Sequence, residues 1–133
     1  MNADYELRLL QDSWTKVFQT YLTWFTWNFN THILILGGVL SIQQLQRNSV
    51  LIAFLTLMFA LLAVGASIAM LVYHNQIRHR AAELEPTTEA KLVFGGALSG
   101  YMRISTLLTN LILVAAWGFL LLAQLFSVVA ADK

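Results

Sequence analysis

The sequence has no cysteine and few charged residues. Without cysteine there can be no disulfide framework, thiol nucleophile, iron–sulfur cluster or cysteine-ligated zinc. Only 11% of the 133 residues are charged, against about 25% in an ordinary soluble domain. A soluble fold must cover its outside with polar groups, so this composition excludes one. The formal net charge of +1 leaves no basic excess for nucleic acid, and we expect no nucleic-acid partner.

The few charges leave long apolar stretches between them. Arg47 is the only charged residue between Val17 and Ile77, and none lies between Ile104 and Ala131. Three stretches are long enough to cross about 30 Å of hydrocarbon as helices, namely residues 18–41, 50–73 and 104–129. The sequence therefore predicts an all-α polytopic membrane protein with three transmembrane helices, forming a single membrane domain over residues 1–133 in a lipid bilayer.

Two further segments are predicted outside these stretches. Residues 1–17 carry apolar side chains on one face, which predicts an amphipathic arm that lies in the interface or extends the first transmembrane helix inward. Residues 74–103 connect the second and third spans, and their first part continues the second helix into the cytoplasm until Pro86 ends it. A hinge or an interfacial turn is predicted at the three glycines that follow, Gly95, Gly96 and Gly100.

The positive charges indicate the orientation in the membrane. Arg47 and Lys133 lie on one side of the predicted spans, and the other six basic residues lie on the opposite side: Arg8, Lys16, Arg78, Arg80, Lys91 and Arg103. Basic residues are enriched in cytoplasmic segments. We therefore expect a plasma membrane, and more specifically a bacterial inner membrane, with the N-terminus and residues 74–103 cytoplasmic and the C-terminus outside. Trp14, Tyr21 and Trp24 would then form an aromatic belt near the inner interface.

Each predicted span carries one line of small or hydrogen-bonding residues at steps of three and four. In the first span the line is Gln19, Thr23, Thr26, Asn30, Gly37 and Ser41. In the second it includes Ala60, Ala63 and Ser67, and in the third Asn110, Trp117 and Gln124. Small residues let helix backbones approach, and polar side chains form hydrogen bonds between helices within a bilayer. These stripes are expected to pack against other helices or to line a pore.

The first span has a second polar face, formed by Asn28 and His32. Two polar faces on one helix predict protein or water on both sides of it, and hence an assembly larger than one chain. We interpret His32 as a neutral interior residue that forms a hydrogen bond with Asn28 one turn away. Trp117 lies at the same depth if the first and third spans run parallel. No metal, haem or other cofactor is predicted, because His32 and His74 lie at different depths.

The sequence favours one function and leaves a second open. No Asp, Glu, Lys or Arg lies within a span, which disfavours ion-coupled transport, and no base–nucleophile pair indicates an enzyme. We expect a non-enzymatic assembly or accessory subunit that packs against copies of itself or against other membrane subunits. The alternative is a homo-oligomeric channel lined by the first stripe and narrowed at Leu34. Holin-like and membrane-disrupting effector proteins are similar in size and layout.

Overall fold

The protein is all-helical in the part that the structure describes, as the sequence predicts. The structure is a computed structural model, and it describes residues 3–84 and 97–131. Helix α1 spans Ala3–Ser41, α2 spans Gln43–Arg47, α3 spans Ser49–Leu84 and α4 spans Ala97–Ala131. No strand occurs within these two ranges.

Helix α1 covers both the predicted arm and the predicted first span. It runs without interruption for 39 residues, or about 58 Å, so residues 3–17 and 18–41 belong to one helix. Asp4 and Glu6 lie in its first turn, where negative charge stabilises a helix N-terminus. The arm is therefore not a separate helix.

A tight turn separates α1 from the short helix α2. Ile42 between them is extended, with φ −108° and ψ 113°, and its N–H still donates to the Gly38 carbonyl at 2.8 Å. A Cβ atom at Gly38 would lie 3.0 Å from the Leu45 Cδ1, closer than most such contacts. Glycine at this position therefore lets α2 fold back against the end of α1.

Helices α3 and α4 are long and apolar enough to cross a membrane. The qualifying segments are Ser49–Leu84 and, within α4, Gly100–Ser127. Helix α1 does not qualify, because polar side chains interrupt its apolar surface throughout residues 19–32. Among the described residues, two helices are therefore long and apolar enough to cross a membrane, whereas a crossing by α1 stays a prediction.

The connection between α3 and α4 is described only at its two ends. Residues 74–84 continue α3, as predicted, and Pro86, Gly95 and Gly96 lie outside the described residues. Gly100 lies inside α4, so the expectation that it forms part of a hinge or turn is wrong. Glycine costs only about 1 kcal/mol in a helix interior, which the surrounding helical residues offset.

The described chain divides into two compact units, each containing segments of the three long helices. The first unit comprises Met1–Phe25 and Ala66–Leu107, and the second comprises Thr26–Gly65 and Leu108–Lys133. The core of the first unit is a buried cluster of five residues, Trp14, Tyr21, Met70, Ile77 and Ala81. Trp14 and Tyr21 are thus core residues and do not form the predicted aromatic belt, whereas Trp24 is exposed.

The core of the second unit is built from smaller side chains. Its buried apolar residues are Val39, Ala53, Ala60, Ala63, Leu113 and Trp117. The three alanines lie on one face of α3, where their small side chains let neighbouring helices approach closely. The large apolar residues of α3 and α4 lie mostly on the outside, as in Leu62, Ile112 and Phe119, which suits a surface that faces lipid tails.

Candidate functional site

The polar stripe of α1 lies on the outer surface of a single chain. Gln19 and Thr23 are exposed in the first unit, and the other four members are exposed in the second, namely Thr26, Asn30, Gly37 and Ser41. The residues around them on α1 are also exposed, including Trp27 and Leu34. The described parts of the other helices therefore leave this stripe largely uncovered.

The stripes of α3 and α4 lie mostly inside their units. On α3, Ala60 and Ala63 are buried in the second unit and Ser67 is buried in the first. On α4, Asn110 and Trp117 are buried in the second unit, Gln124 is partly buried and Ser127 is exposed. Among the described residues, the stripe of α1 is thus the most exposed of the three.

The hydroxyl groups on the outside of α1 form hydrogen bonds with the helix itself. The hydroxyl of Thr23 donates to the carbonyl of Gln19 at 3.0 Å. Thr15, Thr20 and Thr31 donate in the same way to the carbonyl four residues earlier, at 2.8–2.9 Å. These bonds satisfy the threonine hydroxyls without water. The side-chain amides of Gln19 and Asn30 are therefore the most strongly polar groups of the outer stripe.

A hydroxyl triad joins the three helices of the first unit. The Tyr21 hydroxyl on α1 donates to Thr106 Oγ1 on α4 at 3.1 Å and shares a hydrogen bond of 2.7 Å with the Ser67 hydroxyl on α3. Thr106 in turn donates to the carbonyl of Arg103 at 3.0 Å. All three side chains are buried. None of them is a base, so the triad connects helices and does not activate a nucleophile.

The second polar face of α1 lies inside the second unit. Asn28 is 4% exposed and His32 is 2% exposed, and the His32 ring lies 6.2 Å from the ring of Trp117 and 6.4 Å from that of Phe59. The expected hydrogen bond between Asn28 and His32 is absent. Among the described residues, no side-chain nitrogen or oxygen of either has a hydrogen-bond partner, although the two residues share a helix face.

Asn110 provides the polar link in the same unit. Its side-chain amide donates to the carbonyl of Ala63 at 3.3 Å and thereby joins α4 to α3. Ala63 is fully buried, and the absence of a larger side chain lets the amide reach its backbone. This bond is of the type that holds helices together where no water competes.

An ion-pair cluster fixes the start of α1 in the first unit. The Arg80 guanidinium donates from Nε and Nη2 to Glu6 Oε1, at 3.0 and 2.7 Å, and from Nη1 to Glu83 at 3.1 Å. Hydrogen bonds with Glu6, and to a smaller extent with Glu83, raise the pKa of Arg80. Arg80 lies two turns beyond the apolar residues 50–73. His79 lies 3.2 Å from Glu83. Nothing in the sequence indicated that Glu6 takes part in this cluster.

His74 is a fully buried polar residue at the end of the apolar part of α3. Its ring meets the edge of Trp14 on α1, with 4.5 Å between the ring centroids. Neither ring nitrogen has a hydrogen-bond partner among the described residues. The positive charges of Arg78 and Arg103 both act on this ring.

Comparison with protein-family models, with curated proteins and with solved structures gives no match. The functional proposal therefore depends on the geometry described above.

Proposed function

We propose that this protein is a non-enzymatic integral membrane protein that acts as an assembly or accessory subunit. In this proposal α1 crosses the membrane beside α3 and α4, with the N-terminus cytoplasmic and the C-terminus outside. The outer stripe of α1 binds a helix of another polypeptide, either a second copy or a different membrane subunit. The observation that carries the proposal is the exposure of Asn30, on the opposite side of α1 from the buried Asn28 and His32.

The membrane environment makes that exposure significant. An amide that faces hydrocarbon loses its hydrogen bonds to water and gains none in return. Transfer of such a group from water into alkane costs about 4–8 kcal/mol. Polar side chains in transmembrane helices accordingly face protein or water. Asn30 lies two residues before His32, whose ring is level with Trp117 in the middle of α4. A polypeptide that covers Asn30 removes this cost.

The composition of α1 supports the same interpretation. Helices α3 and α4 pass the length and hydropathy requirements for crossing a membrane, whereas α1 does not. A helix with polar residues on two faces inserts stably when both faces are covered by other helices. In this chain the inner face is covered by α3 and α4 within each unit, and the outer face remains for a partner.

Purification from native membranes tests the proposal. The tagged chain, extracted in mild detergent, is expected to carry a stoichiometric second polypeptide or to migrate as a defined oligomer. Asn30→Leu should lose this association, whereas Ala116→Leu, an exposed position on α4, should keep it. Recovery of a monomeric chain alone, from membranes in which the protein is expressed at its native level, would overturn the proposal.

A pore is the second candidate function, because a polar stripe can face water as well as protein. In that arrangement identical chains place Gln19, Thr23 and Asn30 around a central axis, and the uncharged lining gives weak ion selectivity. Purified chain in liposomes should then release a trapped ion, and Asn30→Leu should reduce the flux while Ala116→Leu should not. Liposomes that remain tight, or a flux that is indifferent to Asn30→Leu, would contradict the pore.

A further inference from the structure

An open apolar groove runs between α1 and α3 in the first unit. It has a volume of about 580 Å³ and is lined by residues in the ranges 16–24 and 66–73. Two hydrogen bonds between hydroxyl groups align these segments antiparallel, Ser13–Tyr73 at 3.0 Å and Tyr21–Ser67 at 2.7 Å. Lys16 therefore lies at one end of the groove, and Trp24 lies at the other end, about 12 Å along the helix axis.

The hydroxyl groups that border the groove are already bonded elsewhere. The Thr20 hydroxyl donates to the carbonyl of Lys16 at 2.9 Å. The hydroxyls of Tyr21 and Tyr73 form the interhelical bonds given above. The lining of the groove is accordingly almost entirely apolar, and such a surface favours a hydrocarbon occupant over water.

Two alanines on α3 provide the space. Ala66 is partly buried and Ala69 is exposed, and both line the groove. Spread over the length of the groove, the volume corresponds to a cross-section of roughly 50 Å², about half that of a helix with its side chains, which is about 10–12 Å across. The groove therefore has room for an extended hydrocarbon chain but not for a helix.

Lys16 is the only charged residue that lines the groove. It is exposed and forms no ion pair with any described residue, including Asp12 one turn earlier. Its ammonium group is therefore available to an anion. Because this charge lies at one end of an apolar groove, the groove is complementary to a molecule with a hydrocarbon chain and an anionic group at one end.

We propose that this groove binds an anionic phospholipid, with an acyl chain between α1 and α3 and the phosphate at the Lys16 ammonium. The inference rests on the membrane placement in the proposed function. In that placement Lys16 lies two residues before the first span, at the level of the lipid headgroups, where basic side chains attract anionic lipids. The groove extends from there into the hydrocarbon region, parallel to the lipid chains.

The test compares two lipids on the same purified chain. Native mass spectrometry of detergent-purified protein with added phosphatidylglycerol or phosphatidylcholine measures the lipid retained, and wild type is expected to retain phosphatidylglycerol selectively. Lys16→Gln should weaken that retention about fivefold, the effect expected for one basic residue near an anionic lipid. Arg8→Gln is the matched control, because Arg8 is an exposed basic residue of α1 that does not line the groove, and it should leave retention unchanged.

A second pair of variants tests the site of the acyl chain. Ala69→Trp fills the groove and should abolish retention of phosphatidylglycerol. Ala115→Trp adds the same side chain at an exposed position on α4 and should not alter retention. If Ala69→Trp fails to fold, Lys16→Gln still decides the matter, because it changes only an exposed side chain.

Four outcomes would overturn the inference. Equal retention of both lipids by wild type, or an equal loss in Lys16→Gln and Arg8→Gln, would show that no specific site exists. Displacement of the lipid by millimolar glycerol phosphate would point to a soluble phosphate compound that needs no acyl chain. Displacement by palmitate would point to a free fatty acid. Loss of a copurifying polypeptide in Ala69→Trp, with lipid retention unchanged, would assign the groove to a protein partner.

Failure of this inference can be distinguished from failure of the assembly proposal. Val17, Tyr21 and Trp24 lie on a different side of α1 from Gln19 and Thr23 of the outer stripe. Lipid retention is measured on the chain itself and does not require a partner on that stripe. The variants at position 30 should not alter retention, and the variants at positions 16 and 69 should not alter cross-linking at the outer stripe.

Discussion

Asn28 and Asn30 are two residues apart on α1 and lie on opposite sides of that helix. Asn28 is almost completely buried within the second unit, whereas Asn30 is exposed. One chain therefore covers only one of the two polar faces that the sequence places on this helix. The proposed assembly function follows from the face that remains.

Removing the Tyr21 hydroxyl should weaken the first unit. Tyr21→Phe deletes both hydrogen bonds of the triad and keeps the ring in the core, so we expect a loss of about 1 kcal/mol in the free energy of unfolding. Denaturation with SDS in mixed micelles measures this loss. Tyr5→Phe is the matched control, because Tyr5 is exposed. A Tyr21→Phe variant as stable as wild type would show that the triad does not stabilise the helix contacts.

Enlarging a buried alanine on α3 should separate the helices of the second unit. Ala60 has no exposed surface, and a leucine there must displace its neighbours, which costs about 1–3 kcal/mol. Ala115→Leu adds the same volume at an exposed position on α4 and should be nearly neutral. The two variants are compared in the same SDS titration. Equal stabilities would contradict close packing around Ala60.

The two buried asparagines of the second unit should respond differently to leucine. Asn110→Leu removes the hydrogen bond to the Ala63 carbonyl and should cost about 1 kcal/mol. The Asn28 side chain has no hydrogen-bond partner among the described residues, so Asn28→Leu removes a buried polar group without breaking a bond and should be neutral or stabilising. A clearly destabilised Asn28→Leu variant would show that this amide is bonded in the membrane.

The Glu6–Arg80 pair should hold the first turns of α1 against α3. Glu6→Gln removes the charge that Arg80 contacts from two nitrogens, so amide hydrogen exchange over the first turns of α1 should become faster. Asp4→Asn removes a neighbouring exposed charge and serves as control. Exchange that is equally fast in both variants would assign the effect to the helix N-terminus and not to the ion pair.

The sequence predicts the helices well because charge-free apolar stretches of this length have few alternatives in a membrane. Periodicity also identifies the buried face of α3, because Ala60, Ala63 and Ser67 form a line of small residues on a helix whose other residues are mostly larger and apolar. It does not decide which polar face of α1 is buried, because both have helical spacing. That choice depends on which face meets Phe59 and Trp117 in three dimensions.

The sequence also assigned the core aromatic residues of α1 to an aromatic belt at the membrane interface. Tyr21 lies near the expected membrane interface, where aromatic belts occur, and nothing in its neighbours along the chain indicates hydroxyl partners on α3 and α4. Ser67 and Thr106 lie 46 and 85 residues away from it. The hydroxyl groups of Ser67 and Thr106 identify Tyr21 as a core residue only when the three helices are placed side by side in three dimensions.

Cysteine cross-linking in native membranes tests the central claim, the contact between the outer face of α1 and another polypeptide, most directly. The chain has no cysteine, so Asn30→Cys and the equally deep, exposed Ala116→Cys each introduce a single thiol. With a thiol-reactive reagent that carries a photoactivated group, which requires no particular side chain on the partner, Asn30→Cys is expected to give a discrete heavier species in high yield, a dimer or a complex with a different subunit, and Ala116→Cys is expected to give none. An Asn30→Cys chain that stays monomeric, or one that cross-links no better than Ala116→Cys, would contradict the account.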